Sequence, residues 1–137
     1  MSRKVAREVA FKVIFSYDFQ GEDTGFPELM EELKKEHTDL SAEDDIYIKA
    51  VIEGVKDNKD KLDQVIQKYL KGWTMERISK TDLAILRLAT FEILYREDIP
   101  YKVSVNEAVE LAKTFSDDSS SSFINGVLAG VIQEIEK

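Results

Sequence analysis

Residues 78–94 read Ile-Ser-Lys-Thr-Asp-Leu-Ala-Ile-Leu-Arg-Leu-Ala-Thr-Phe-Glu-Ile-Leu, residues 100–115 read Pro-Tyr-Lys-Val-Ser-Val-Asn-Glu-Ala-Val-Glu-Leu-Ala-Lys-Thr-Phe, and residues 122–128 read Ser-Phe-Ile-Asn-Gly-Val-Leu. Ser79 precedes Asp82 by three positions, an acidic variant of the capping box, with Ile78 and Leu83 at staple spacing; Ser104 and Glu107 have the standard spacing. Each pair predicts a helix start. Leu83, Ala84, Ile85, Leu86, Leu88, Ala89, Phe91, Ile93, Leu94 and Tyr95 are apolar around almost the whole circumference, so this helix belongs at the centre of a bundle. It must end before Pro100, which disfavours helical geometry at Ile99.

Helical spacing continues on both sides. From about Lys4 to Phe19, Ala6, Ala10, Val13, Ile14 and Tyr17 form one stripe, broadened by Val5, Val9 and Phe11. Gly21 and Gly25 end that helix, and Pro27 suits the first turn of a short one through about Lys35. Ser41 with Asp44 opens a third, whose stripe is Tyr47, Val51, Gly54 and Val55. Asn58 is expected to cap a fourth carrying Leu62, Val65, Ile66, Tyr69 and Leu70, and Gly72 marks a break. The last helix starts within the polar run 116–122 and carries Phe123, Ile124, Val127, Leu128, Val131, Ile132 and Ile135. Gly126 and Gly130, four apart, would admit close helix approach. No stretch alternates with the two-residue period of a strand. The class is all-α with about seven helices, in one domain over residues 1–137.

Composition narrows function. With 137 residues and 43% hydrophobic content, the chain can bury a real core. It has no cysteine, which excludes disulfides and thiolate chemistry. No apolar run approaches the length of a membrane span, and Arg3, Lys4, Arg7 and Glu8 occupy the region where a signal peptide would be apolar; a cytoplasmic location is expected. The net charge of −8 opposes polyanion binding, but it is local. Residues 22–60 hold 13 acids against 5 bases, leaving 14 of each elsewhere, and residues 1–12 carry a net +3. That basic segment reads either as a solvated helix face or as a phosphate contact.

Catalytic signatures are missing. His37 has no partner at metal or acid–base spacing, and neighbouring carboxylates such as Asp44 with Asp45 or Asp117 with Asp118 read as cap and solvent positions. No phosphate loop, nucleophile elbow or zinc spacing occurs, so neither enzyme nor cofactor is expected. Trp73, Tyr69 and Phe123 read as packing aromatics, or as base-stacking platforms if they surround the basic segment.

Taken together, Ala-Arg-Glu at 6–8, Leu-Arg-Leu-Ala-Thr-Phe-Glu at 86–92, Val-Asn-Glu-Ala-Val-Glu-Leu-Ala-Lys at 105–113 and Phe-Ile-Asn-Gly-Val-Leu at 123–128 resemble the NusB family of bacterial transcription antitermination factors. The resemblance spans nearly the whole chain. It implies two small helical subbundles packed side by side. It also implies binding of boxA in nascent RNA together with the ribosomal protein NusE, so that the RNA polymerase antitermination complex passes terminators, typically on ribosomal RNA operons. Carried over by position, the RNA contacts are Arg3, Lys4, Arg7, Tyr69, Ser122 and Phe123, and the partner contacts are Phe15 and Asp82. Arg7 could equally anchor the bundle by an ion pair, and Asp82 has a local explanation as a capping residue. The family includes homodimers whose interface can cover the RNA site.

Three departures from the family pattern stand out: a less basic N-terminus, Ser122 where lysine is common, and Ala129 in place of the usual aspartate. The first two remove positive charge, which predicts weak RNA binding by the protein alone and dependence on the partner complex. Two other readings remain. An RNA cytosine methyltransferase can carry a NusB-like module, but needs a further α/β domain for its methyl donor, and the chain ends at Lys137 without one. A structural protein could instead use the acidic segment 22–60 to hold a basic partner.

Overall fold

The computed structural model describes residues 4–20, 31–32, 35–36 and 40–136. Among them are six α-helices, one short 3-10 turn and no strand: α1 (Lys4–Gln20), α2 (Ala42–Asp57), α3 (Lys59–Lys68), the 3-10 turn (Met75–Arg77), α4 (Lys80–Tyr95), α5 (Tyr101–Phe115) and α6 (Asp118–Glu136). The all-α class is therefore as expected. The short helix expected from Pro27 to Lys35 falls largely outside the described residues. α1 packs on α2 and α5 packs on α6, while α4 touches every other helix.

The burial of α4 follows from its composition. From Asp82 to Ile93 every residue is buried, including the polar Arg87, Thr90 and Glu92. Ile85, Leu86 and Leu88 are fully enclosed, together with Tyr47, Ile48, Leu62, Ile66, Leu70, Ile124 and Leu128 from the surrounding segments. Close approach is helped by glycine. A Cβ on Gly54 of α2 would lie 2.2 Å from the Phe91 ring, so only glycine lets α2 seat on α4 there. Gly130 does the same for the Tyr69 ring, at 2.3 Å, whereas Gly126 faces open space. The expected close contact at the paired glycines belongs to Gly130 alone.

Helix starts divide into those that match their spacing and those that do not. Ser41 and Asp44 form the complete reciprocal box, with both backbone-to-side-chain bonds at 3.1 Å. Ser79 accepts from the Asp82 N–H at 3.1 Å, but the Asp82 carboxylate turns away and accepts from Ser120 Oγ at 2.9 Å. Asn58 does not cap α3; its side chain donates to the Gly54 carbonyl at 2.9 Å and closes α2 instead. Ser104 is not a cap either. Pro100, with φ of −61°, starts α5 a turn earlier, and Ser104 lies buried within the helix with its hydroxyl directed at Glu92.

Candidate nucleic-acid interface

Four helices meet at Glu92. Its carboxylate accepts from Arg7 Nε at 2.9 Å and Arg7 Nη2 at 3.2 Å, from Ser104 Oγ at 2.7 Å, and from the Tyr47 hydroxyl. Arg7 and Glu92 are 5% and 1% exposed, so the pair is an internal tie and not a surface charge. The Arg7 guanidinium also lies 5.6 Å from the centre of the Tyr47 ring. Burial pulls the Arg7 pKa down, but the hydrogen bond and charge of Glu92 outweigh it and hold the pKa above its ordinary value. Of the two readings of Arg7, the ion pair is the one present in this geometry.

This bears on the N-terminal cations. Arg3 lies outside the described residues. Lys12 pairs with Glu8 at 3.6 Å and sits over the Phe115 ring. Lys4 is exposed and lines a shallow hollow with Arg7, Asp98, Ile99, Pro100, Val103 and Glu107. Of the cations that made residues 1–12 basic, Arg7 and Lys12 are thus each paired with a carboxylate of the same molecule.

The candidate residues do not form one cluster. Arg7, early in α1, meets Glu92 late in α4, and Phe11 meets Phe115 at the far end of α5 with ring centres 5.1 Å apart. α1 therefore runs antiparallel to α4, which places Lys4 at the end where α4 finishes. Phe123 and Ser122 belong to the other end, where α6 starts beside Asp82. The rise of α4 between Asp82 and Glu92 is about 15 Å. A ligand touching both ends must span at least that length.

At the α6 end the structure brings together more than the sequence placed there. Trp73, Arg77, Ile78, Ser79, Asp82, Ser119, Ser120 and Phe123 line an open hollow of about 300 Å³. Trp73 is 52% exposed and meets the half-buried Phe123 ring edge to face, with centres 6.5 Å apart. Arg77 is absent from the sequence-derived set, whereas Trp73 belongs to it as a packing aromatic or a conditional stacking platform. The available signal was the lone tryptophan beside the Gly72 break, where φ reaches +95°.

Tyr69 is more constrained. Its ring covers Gly130, and its hydroxyl donates to Glu134 Oε1 at 2.7 Å, beside the Lys68–Glu134 ion pair at 2.9 Å. That hydrogen bond to Glu134 holds the Tyr69 phenol above its ordinary pKa. Ser122 is exposed on α6. Of the partner candidates, Phe15 is half-buried with its ring 6.1 Å from Phe11, and Asp82 is 7% exposed. His37 lies outside the described residues. Among those described, no group of three acidic, histidine or cysteine side chains could hold a metal. No described helix is long and apolar enough to cross a membrane.

Residues 4–133 match the NusB family profile. Transcription antitermination protein NusB of Clostridium novyi (strain NT) is 45% identical over 135 residues, covering 97% of this chain and 99% of that protein. The protein of the same name in Acetivibrio thermocellus is 46% identical over 133 residues, covering 97% and 90%. Among solved structures, T. maritima NusB superposes with a TM-score of 0.87 at 33% identity, covering 98% of this chain and 92% of that one. A structure of antitermination factors NusB and NusE in complex with dsRNA gives 0.85 at 25% identity, covering 96% of each chain.

Proposed function

The chain belongs to the NusB family, and on that premise we propose that it is a transcription antitermination factor. It binds boxA RNA together with NusE, within the RNA polymerase antitermination complex, and promotes readthrough, especially of ribosomal RNA operons. It works by binding and not by catalysis, as one domain over residues 1–137, and in the cytoplasm, where nascent RNA is made. What supports this most is that the likeness runs through nearly the whole chain and includes a neighbour solved with NusE and RNA.

Arg3, Lys4, Tyr69, Ser122 and Phe123 contact RNA along a track running from one end of α4 to the other. Arg7 acts through Glu92, fixing the pitch of α1 and so the place of the cations before it. NusE docks at the α4-start end, through Phe15 and Asp82. The compensated charge at Arg7 and Lys12 supports weak binding by the isolated protein, since each neutralised phosphate contributes to affinity through counterion release.

The test is a titration of boxA and scrambled RNA at two salt concentrations, with and without NusE. Sequence-dependent binding that tightens when NusE is added is expected. Equal binding of both RNAs, or none under any condition, would overturn the assignment.

A further inference from the structure

We propose that the hollow formed by the end of α4, the turn into α5 and the last turn of α6 docks a segment of a partner protein, one carrying large apolar side chains flanked by Lys or Arg. The hollow encloses about 650 Å³, and its lining is almost entirely apolar: Ile93 and Leu94 of α4, Ile99 and Pro100 of the turn, Tyr101 of α5 and Ile135 of α6. Ile135 is 36% exposed, one of the few large aliphatic side chains left open to solvent. Apolar hollows of this kind take the anchor side chains of a partner. The rise of α4 from Asp82 to Leu94 is about 18 Å, so this surface is separate from the one that meets NusE.

Charge decides which kind of segment fits. Glu97 is the one charged residue of the lining, and among the described residues none pairs with it. The neighbouring cation is committed elsewhere: Arg96 Nε pairs with Asp98 at 2.9 Å, and its guanidinium lies 5.6 Å from the centre of the Tyr47 ring. Two helices end at this hollow, and neither α4 nor α6 has a basic residue in its last turn to answer the free carbonyls. Each such end carries roughly half a negative charge. The start of α5 supplies one positive end, and Lys102 of its first turn is not part of the lining, so the rim stays negative.

The same field excludes other occupants. A phosphate backbone or an anionic membrane surface would meet Glu97 and two negative helix ends, so neither nucleic acid nor lipid fits. Lys and Arg gain there, because a carboxylate and helix C-termini both attract cations. Ile99 and Pro100 also border the hollow that holds Lys4, so the two hollows share this turn. RNA on the Lys4 side and a protein segment on the Ile135 side can therefore be held at once, with Phe15 and Asp82 left to NusE.

The experiment follows backbone amides of the isotope-labelled full chain by NMR during titration with a peptide of about 12 residues, leucine at i, i+4 and i+7 and lysine and alanine elsewhere. In two control peptides glutamate replaces the lysines or serine the leucines. The lysine peptide should shift the amides of Ile93, Leu94, Ile99, Tyr101 and Ile135 and bind roughly tenfold tighter than either control. Ile135→Ser should weaken it roughly fivefold. Glu97→Gln should weaken it roughly threefold and shrink the preference for lysine over glutamate. Shifts confined to residues 22–60 would assign the attraction to the acidic segment and overturn the proposal. So would equal binding of the lysine and glutamate peptides, affinities unchanged in both variants, no binding of any peptide, or displacement of the peptide by boxA RNA. Self-association of the chain that Ile135→Ser abolishes would give the hollow to a second copy and overturn it as well. The expected shifts in a chain that binds no RNA would remove the RNA reading and leave this docking site standing.

Discussion

Arg7 on α1 grips Glu92 on α4 through two nitrogen–oxygen contacts, 2.9 and 3.2 Å long, with both side chains almost wholly removed from solvent. Removing one partner strands the other charge in the interior. Arg7→Ala and Glu92→Ala are each expected to cost about 3–5 kcal/mol in urea denaturation. Replacing both by apolar residues of similar bulk should recover part of that loss, because Tyr47 and Ser104 would still lack their acceptor. Additive single and double losses would show that the pair is not coupled.

The two α6 glycines should respond oppositely to a methyl group. Gly126→Ala meets nothing within 4 Å and replaces a flexible residue inside a helix, so a gain of about 0.5–1 kcal/mol is expected. Gly130→Ala drives a Cβ into the base of the Tyr69 ring, at 2.3 Å, and should cost about 1–3 kcal/mol. Thermal melting of the two variants checks this, and a loss at Gly126 would count against the open space there.

Legibility in the sequence tracked how local the physics was. The Ser41–Asp44 box could be read because both of its bonds lie within one turn. Ser104 misled for the opposite reason: its spacing to Glu107 is local, but the stronger claim on its hydroxyl comes from Glu92, twelve residues away and buried. Asn58 stands between two helix ends, and position alone does not say which one its amide serves. The periodicity of α4 declared its centrality, since a helix apolar all round has nowhere else to go. Arg7 and Arg77 show the limit for the site. Their side chains are alike in sequence, yet one is buried against a carboxylate and the other is exposed beside Trp73.

Asp117 gives the start of α6 a pH dependence. Its Oδ1 accepts from the Ser120 N–H at 2.7 Å and from Ser119 Oγ at 2.9 Å, and these bonds hold its carboxyl below the ordinary value of 3.8. A depressed folded-state pKa means that the stabilisation is fully present above the unfolded value and is lost as pH falls through the folded one. Asp117→Ala should therefore melt below the wild type at neutral pH, and the gap should close as pH falls below about 3.8. A gap that stays constant through that range would exclude the carboxylate as the cap.

The Tyr69 hydroxyl and ring can be separated by substitution. The hydroxyl is committed to Glu134, so if this residue meets RNA it does so through its ring. Tyr69→Phe should keep RNA affinity, whereas Tyr69→Ala should lose the stacking surface and the cover over Gly130. Equal affinity losses in both variants, measured by RNA anisotropy, would place the hydroxyl on the ligand instead.

Arg77 and Arg7 should differ in how salt reports their removal. An exposed arginine that neutralises a phosphate contributes one counterion to the release on binding, so Arg77→Ala should weaken boxA and scrambled RNA alike. The slope of log affinity against log salt should fall by about one unit, with folding unaffected. Lys4→Ala should behave the same way. Arg7→Lys keeps the charge but loses the two-pronged grip on Glu92, so it should lower stability and RNA affinity while leaving the salt slope unchanged. A slope that falls for Arg7→Lys and stays put for Arg77→Ala would exchange their roles, making Arg7 the phosphate contact and Arg77 a bystander on the rim.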